Sequence, residues 1–311
     1  MNVLSPGWEP PPPSGVAIGV FDGVHRGHAA VIGGLVQHCR RKGWASGVLT
    51  FEPHPVEVLA PGTPPSLLTT LDRRVELLTD LGIDWVGVLD LRDIRTMEPD
   101  RFIEDVLVER ARAKMVSVGD DFRFGHDRAG DIALLRERGG RAGFDVSVVE
   151  LVSDEEAVIS SSRVRALLAT GDVRGAASLL GRPHRVVGEV GRGDARGRTL
   201  GFPTANIVPP PRLALPADGI YAVRVSGGVA AEGVASLGVR PTFGADGGRL
   251  LEVHVFDYAG DLYGATLEVD FIEHLRGEET FLSVTELVAQ MEIDAADARR
   301  ILKVAPRAGF P

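Results

Sequence analysis

VAIGVFDGVHRGHAAVIGGLVQHCRRKG, residues 16–43, carries a short apolar run through a loop rich in glycine and histidine into an amphipathic pattern. VAIGVF (16–21) reads as a strand and HAAVIGGLVQHCRRKG (28–43) as the helix that follows it. The scheme then repeats. ASGVLTF (45–51), DWVGVLD (84–90), KMVSVG (114–119) and FDVSVVE (144–150) are apolar runs of strand length. TLDRRVELLTDLG (70–82), EPDRFIEDVLVERA (98–111), DIALLRERGG (131–140) and SSRVRALLATG (161–171) are helical patterns that alternate with them. Strands apolar on both faces and separated by helices predict a parallel sheet with right-handed crossovers, an α/β doubly wound, Rossmann-like domain.

From His184 onward the rhythm changes. RVVGEVG, GIYAVRVS, GVAAEGVASLG, RLLEVHVFDY and ATLEVDFIEH alternate at period two with turns between them and no helices. That pattern predicts an antiparallel barrel or sandwich. It ends in helices: SVTE (283–286) has capping-box spacing ahead of LVAQM, and AADARRILKV follows. Gly181 and Pro183, in GRPH (181–184), interrupt the last helix of the first half, so the expected domains are residues 1–181 and 182–311.

The length of 311 residues suits two domains. A net charge of −9 argues against a sequence-independent nucleic-acid binder, which needs a cationic surface. Lysine occurs only at Lys42, Lys114 and Lys303, so phosphate chemistry here rests on arginine, histidine, backbone N–H groups and metal. Cys39 is the single cysteine, which excludes an internal disulfide; at the end of an amphipathic helix it reads as a core thiol. MNVLSPGWEPPPPSG has no basic start and no apolar core, so it is not read as a signal peptide, and its prolines favour an extended arm. No apolar run approaches a membrane span. A cytoplasmic protein with no membrane partner is expected.

In parallel α/β sheets, ligands bind at the carboxyl ends of the strands. The unusual polar clusters of the first half follow its strands. They are Asp22, Gly23, His25, Gly27 and His28; TFEPHP with His54 between two prolines; GDDFRFG with Asp120, Asp121 and Arg123; and ISSSRVR with Ser161, Ser162 and Arg165. Imidazoles, hydroxyls, an arginine and helix N-termini together describe a polyphosphate site. Gly27 lets an anion approach the backbone closely. A zinc site on His25 and His28 is the weaker reading, because no third ligand stands at a suitable spacing.

GVFDGVHRGH, TFEPHP, GDDFRFG and ISSSRVR, in this order, resemble the signature series of bacterial bifunctional riboflavin kinase/FMN adenylyltransferases. The resemblance implies an HxGH nucleotidyltransferase domain in which the FMN phosphate attacks the α-phosphate of ATP, giving FAD and pyrophosphate. It implies that Gly19, Phe21, His25 and His28 meet ATP, with His28 nearest the transferring centre. Ser161, Ser162 and Arg165 would hold the leaving phosphates, Arg165 as a catalytic group. His54 and Asp121 would line the flavin and nucleotide side. Many relatives have threonine where Ser162 stands, which keeps the hydroxyl, and some have asparagine where Asp121 stands.

The second half has neither a Walker lysine nor GxGxxG. Its densest stretch is GEVGRGDARGRTLGFPTAN (188–206), in which Thr204 and Asn206 alternate onto one face and offer hard oxygens suited to Mg²⁺. This block resembles the GxxGRxLGFPTAN motif of riboflavin kinases, and ADGIYAVRV, GVASLGVRPTFG and LLEVHVFDYAGDLYG continue the likeness. The resemblance implies ATP contacts at Gly191 and Arg198, a flavin contact at Phe202, and Glu252 as the base for the riboflavin 5′-hydroxyl. Read without the family, Glu252 is equally a solvent-facing strand residue. Some relatives have asparagine where Ser236 stands, and that position receives no role. The expectation is a two-site enzyme that uses ATP and Mg²⁺ on riboflavin and FMN, with FAD as product. A flavin-binding carrier without turnover is the rival from another class, and retention of both His28 and Glu252 speaks against it.

Overall fold

The computed structural model describes residues 8–60, 62, 64–150, 152–155, 157–193, 197, 200–239 and 248–306. The chain divides into two compact units, Met1–Ser160 and Ser161–Pro311.

The first unit is built on a five-stranded parallel sheet in the order β3-β2-β1-β4-β5. Its strands are β1 (Ser14–Ile18), β2 (Ala45–Phe51), β3 (Trp85–Leu89), β4 (Ala113–Gly119) and β5 (Asp145–Val149). The crossovers run through α1 (Arg26–Lys42), α2 (Pro55–Leu59), α3 (Leu71–Asp80), α4 (Leu91–Ile94), α5 (Pro99–Arg101), a π-helix (Phe102–Arg110) and α6 (Ile132–Ala142). β1 is buried at all five positions, as a central strand covered on both faces must be.

Ala17 and Val48 turn to a core with Ile32, Leu35, Cys39, Leu77 and Leu78 from α1 and α3. Val16, Ile18, Leu49 and Val116 turn the other way, to Phe102, Val106, Leu107 and Leu135. Each fully buried leucine contributes about 2 kcal/mol to these layers. Cys39 is the core thiol the sequence predicts, and burial raises its pKa. The proline arm is fixed to the sheet: Ala45 N–H donates to Pro13 O at 3.0 Å, and the Trp8 indole donates to Arg110 O at 3.1 Å.

The chain begins at the centre of the sheet, builds outward to β3, then crosses to β4. The order reverses between β1 and β4, and such a switch point opens a crevice at the strands' carboxyl ends.

The second unit holds a closed barrel in the order β10-β7-β6-β11-β8-β9, so the choice between barrel and sandwich falls to the barrel. Its strands are β6 (His184–Gly191), β7 (Ala205–Ile207), β8 (Gly219–Gly227), β9 (Ala231–Val239), β10 (Arg249–Val255) and β11 (Thr266–Arg276). Pairing is antiparallel throughout. Tyr221, Val223, Leu237, Leu251, Val253, Val269 and Phe271 fill it, each buried.

Helices α7 (Ser161–Ala169) and α8 (Val173–Leu180) belong to this unit, with α8 packed against β6 and β11. The C-terminal segment is one helix, α9 (Val284–Val304), where the sequence reading expected more than one; no Gly or Pro interrupts it. It covers β8, β9 and β11, and Arg276 clamps it through Asp294 with two bonds of 2.9 and 2.7 Å. No described helix is long and apolar enough to cross a membrane.

Candidate active sites

Between β1 and α1 the backbone makes two turns that side chains disfavour: Phe21 has φ 51° and Val24 φ 39°. Non-glycine residues hold such angles only where their surroundings impose them. Here the surroundings are visible. Asp22 is buried, and its carboxylate accepts from Leu68 N at 2.9 Å and Thr69 N at 3.1 Å. Gly23 N–H donates to Thr69 Oγ1 at 3.2 Å. The Phe21 ring lies against Gly19, where a β-carbon would stand 3.0 Å from it, so only glycine fits there without a shift.

This folding of the loop brings His25 and His28 together. Their rings stack at 3.6 Å between centroids and 17° between planes, and Phe21 meets His28 edge-on at 5.2 Å. His25 is the N-cap of α1: its Nδ1 accepts from His28 N–H at 3.3 Å. An accepting Nδ1 carries no proton, so a neutral His25 has its N–H at Nε2.

The His28 ring is only partly exposed, and its Nδ1 is buried without a hydrogen-bond partner. Burial first, then His25 and Arg74, hold its pKa well below the usual 6.5, so His28 is neutral near pH 7. The first turn of α1 contains no acidic residue, which leaves the positive end of the helix dipole open to an anion. Stacked rings do not converge on a common ion. Among the described residues, no group of three or more His, Cys, Asp or Glu could hold a metal.

The other predicted residues of this half have separate places. His54, after β2, is the N-cap of α2: its Nδ1 accepts from Val56 N–H at 3.2 Å, and Glu57 closes a capping box with 3.1 Å to His54 N. Asp121 is exposed after β4, with its carboxylate folded back towards Gly119. Ser161, Ser162 and Arg165 occupy the first turns of α7, in the second unit.

In the barrel, Asn206 on β7 is the register partner of both Glu252 on β10 and Gly191 on β6, and Ser236 on β9 is the partner of Glu252. Directly paired residues share a face, so these four form one row across the wall. Their sequence neighbours Ile207, Leu237, Leu251 and Val253 are the buried, inward-facing set.

Asn206 is 8% exposed, and its Nδ2 reaches Thr204 O at 3.5 Å. Gly193 packs directly on the Asn206 amide, 2.5 Å from where a β-carbon would stand. Phe202 meets the His254 ring at 5.1 Å, beside the Glu252 position, and His254 Nδ1 contacts Pro203 O at 2.9 Å. A cavity of about 310 Å³ is lined by Thr204, Asn206, Val190, Val253, Asp261 and Tyr263, among others. Glu252 is not among its lining residues, although its register partner Asn206 and its neighbour Val253 are. Arg198 lies outside the described residues, as does the RPTFG part of the GVASLGVRPTFG stretch.

Two family models match in tandem: one described as FAD synthetase over residues 9–163, the other as riboflavin kinase over residues 180–302. The curated bifunctional riboflavin kinase/FMN adenylyltransferase of Escherichia coli K12 is 42% identical over 287 residues, covering 91% of each chain. The chain belongs to the bifunctional riboflavin kinase/FMN adenylyltransferase family. The same relationship holds for the enzymes of Pseudomonas fluorescens, 41% identical over 286 residues, and Bacillus subtilis, 34% identical over 291 residues. A crystal structure titled as a macrolide-efflux protein from Streptococcus pneumoniae aligns with a TM-score of 0.85 at 31% identity, covering 94% of this chain and 96% of its own. A member of this bifunctional family is an enzyme with two activities: it makes FMN from riboflavin and FAD from FMN, with ATP as co-substrate of both.

For this family member, sequence reasoning overlooked the register position of Ser236 and the burial of Arg74. Ser236 had a signal, since GVASLG alternates in phase with LLEVHV. Arg74 had one too: it stands three and four residues before Leu77 and Leu78, on the stripe that faces the core.

Proposed function

We propose that the two activities run in separate domains, residues 1–181 and 182–311, each with its own ATP site. The observation that carries this reading is the pair of unlike constellations: a stacked His25–His28 cap at the head of α1, and the Asn206–Glu252 register pair on the barrel wall.

In the kinase half, Glu252 takes the proton of the riboflavin 5′-hydroxyl as that oxygen attacks the γ-phosphorus of ATP and ADP leaves. A carboxylate in reach is sufficient, because phosphoryl transfer depends mainly on positioning and charge stabilisation. The cavity beside Thr204 and Asn206 suits the nucleotide phosphates, with Gly191 and Arg198 as further contacts and Phe202 on the flavin side. Thr204 Oγ1 and Asn206 Oδ1 suit Mg²⁺: both are hard neutral oxygens, and the Asn206 amide spends its N–H₂ end on Thr204 O. Bound there with ATP, the ion would neutralise phosphate charge.

In the adenylyltransferase half, a phosphate oxygen of FMN attacks the α-phosphorus of ATP and pyrophosphate leaves; no protein nucleophile is needed. His25 and the neutral His28 act as hydrogen-bond donors to phosphate oxygens, and the α1 N-terminus adds its dipole. Gly19 and Phe21 set the loop, and the exposed Asp121 and the capped His54 flank it after the neighbouring strands. For Ser161, Ser162 and Arg165 the support is the motif resemblance, together with the fitness of hydroxyls and a guanidinium for pyrophosphate oxygens. ATP and the flavins as small polar substrates fit a cytoplasmic location.

The test is product partition. Wild-type protein given riboflavin, ATP and Mg²⁺ yields FMN and FAD by chromatography, whereas His28→Ala stops at FMN. Loss of both products in a folded His28→Ala protein would refute two independent sites.

A further inference from the structure

Among the described residues, the most deeply buried charged side chain of the first unit lies outside every motif. Arg74, on α3, has no exposed surface, yet it sits on the stripe occupied by Leu77 and Leu78. A buried guanidinium is costly and persists only where its partners or its function require it.

Its contacts converge on the two loops that carry the imidazoles. Nη1 donates to Phe51 O at 3.1 Å and lies 3.4 Å from Thr50 Oγ1. Thr50 Oγ1 in turn donates to Val20 O at 2.9 Å, the residue before Phe21. Nη2 stands 3.7 Å from the Glu52 carboxylate, two residues before His54. Nε and Nη2 have no hydrogen-bond partner, and neither does the buried Nδ1 of His28. The guanidinium charge is felt at His28, while the carboxylates that offset it are Asp22 and Glu52.

We propose that Arg74 is a positioning residue for adenylyl transfer: it braces the carboxyl end of β2, where Thr50 holds Val20 ahead of the His25–His28 loop, and keeps a fixed positive charge close to the bound polyphosphate. The inference rests on the His25–His28 reading given above. An apolar residue would pack as well beside Leu77 and Leu78, but it would leave Phe51 O and the Thr50 hydroxyl without the guanidinium and the floor of the site uncharged. Small misplacements of reacting groups are expensive in rate, so the fork geometry matters as well as the charge.

The test compares Arg74→Met, Arg74→Lys and Thr50→Val in the full chain. In Arg74→Met, kcat for FAD formation should fall roughly tenfold or more with KM values for FMN and ATP little changed, while riboflavin kinase activity and cooperative melting persist. Arg74→Lys, which keeps the charge but not the fork, should recover part of the loss. Histidine NMR gives an independent readout: the His28 titration should move to higher pH in Arg74→Met and stay in place in Arg74→Lys. The groups facing His28 in that titration are His25 and Arg74.

Wild-type kcat and an unmoved His28 titration in Arg74→Met would overturn the proposal. Should Arg74→Met fail to fold, Arg74→Lys and Thr50→Val decide it, since unchanged kcat in both would overturn it equally. Normal FAD formation by His28→Ala would instead overturn the site reading itself, a result distinguishable from failure of Arg74 alone.

Discussion

Glu252 and Asn206 face each other in antiparallel register across β10 and β7, and of the two only Asn206 lines the 310 Å³ cavity. Under the roles proposed above, Asn206 and Thr204 serve the phosphate side of the kinase site and Glu252 the side on which the attacking hydroxyl arrives. This division makes the roles separable by mutation.

Glu252→Gln keeps the size of the side chain and its place in the row with Asn206 and Ser236, but removes the base. FMN formation should fall by about 10²–10⁴-fold, the usual worth of a positioned general base. Conversion of supplied FMN to FAD should stay at the wild-type rate, and the KM for ATP should change little. Chromatography of both reactions checks this. Equal losses in the two would mean that Glu252 supports the fold and not the chemistry.

Gly193→Ala tests the phosphate side without touching a proposed ligand. Its new β-carbon would fall 2.5 Å from Asn206 Nδ2 and 2.9 Å from Oδ1, closer than real contacts allow. The Asn206 amide, which is buried, has to rotate or shift. The expected result is a rise in the Mg²⁺ concentration needed for half-maximal FMN formation, with a loss of roughly tenfold in kcat/KM for ATP. Adenylylation of FMN should be unaffected. A Mg²⁺ titration of the kinase reaction reads the effect directly.

The parts of this architecture written in the sequence are those fixed by periodicity. β2 is Ala45–Phe51 as its apolar run predicts, and α9 starts at the Ser283 cap, whose hydroxyl accepts from Glu286 N–H. The short elements were not legible. β7 has three residues, too few for an alternation to register, although it carries Asn206. α8 spans only Val173–Leu180 with Gly175 inside it, too short to register as a helix separate from α7. The loop after β1 announced its chemistry through two histidines. Its stacking geometry depends on Asp22 reaching Leu68 and Thr69, contacts 46 and 47 residues away that no local pattern encodes. Arg74 was hidden for the opposite reason: arginine in an amphipathic helix is normally read as solvent-facing.

Ser283→Ala removes the N-cap of α9, where Ser283 Oγ accepts from Glu286 N–H at 3.2 Å and Glu286 returns a contact of 3.1 Å to Leu282 N. Loss of such a cap costs about 1 kcal/mol. The barrel unit should melt about 2–4 °C lower, with both enzymatic rates unchanged below the transition. Arg276→Met should cost more, because it leaves the buried Asp294 carboxylate without its guanidinium partner. Differential scanning calorimetry ranks the two, and a smaller effect for Arg276→Met would contradict the assignment of Arg276 as the clamp.

His28 couples folding to pH with a sign that can be worked out. Burial, His25 and Arg74 hold its folded pKa well below 6.5, the value expected in the unfolded chain. Below pH 6.5 the unfolded state therefore binds a proton that the folded state refuses, and stability falls as pH drops towards the folded pKa. Above pH 6.5 neither state is protonated, and His28 contributes no slope. Thermal melts from pH 7.5 to 5.5 should show a shallower acid-side loss in His28→Ala than in the wild-type protein, with the other histidines common to both. FAD formation, if it uses neutral His28, should show no His28 inflection near 6.5 and should persist to lower pH. A wild-type rate profile that breaks near 6.5, with a His28 NMR titration at the same pH, would place a charged His28 in the folded enzyme and reverse the sign argued from its burial.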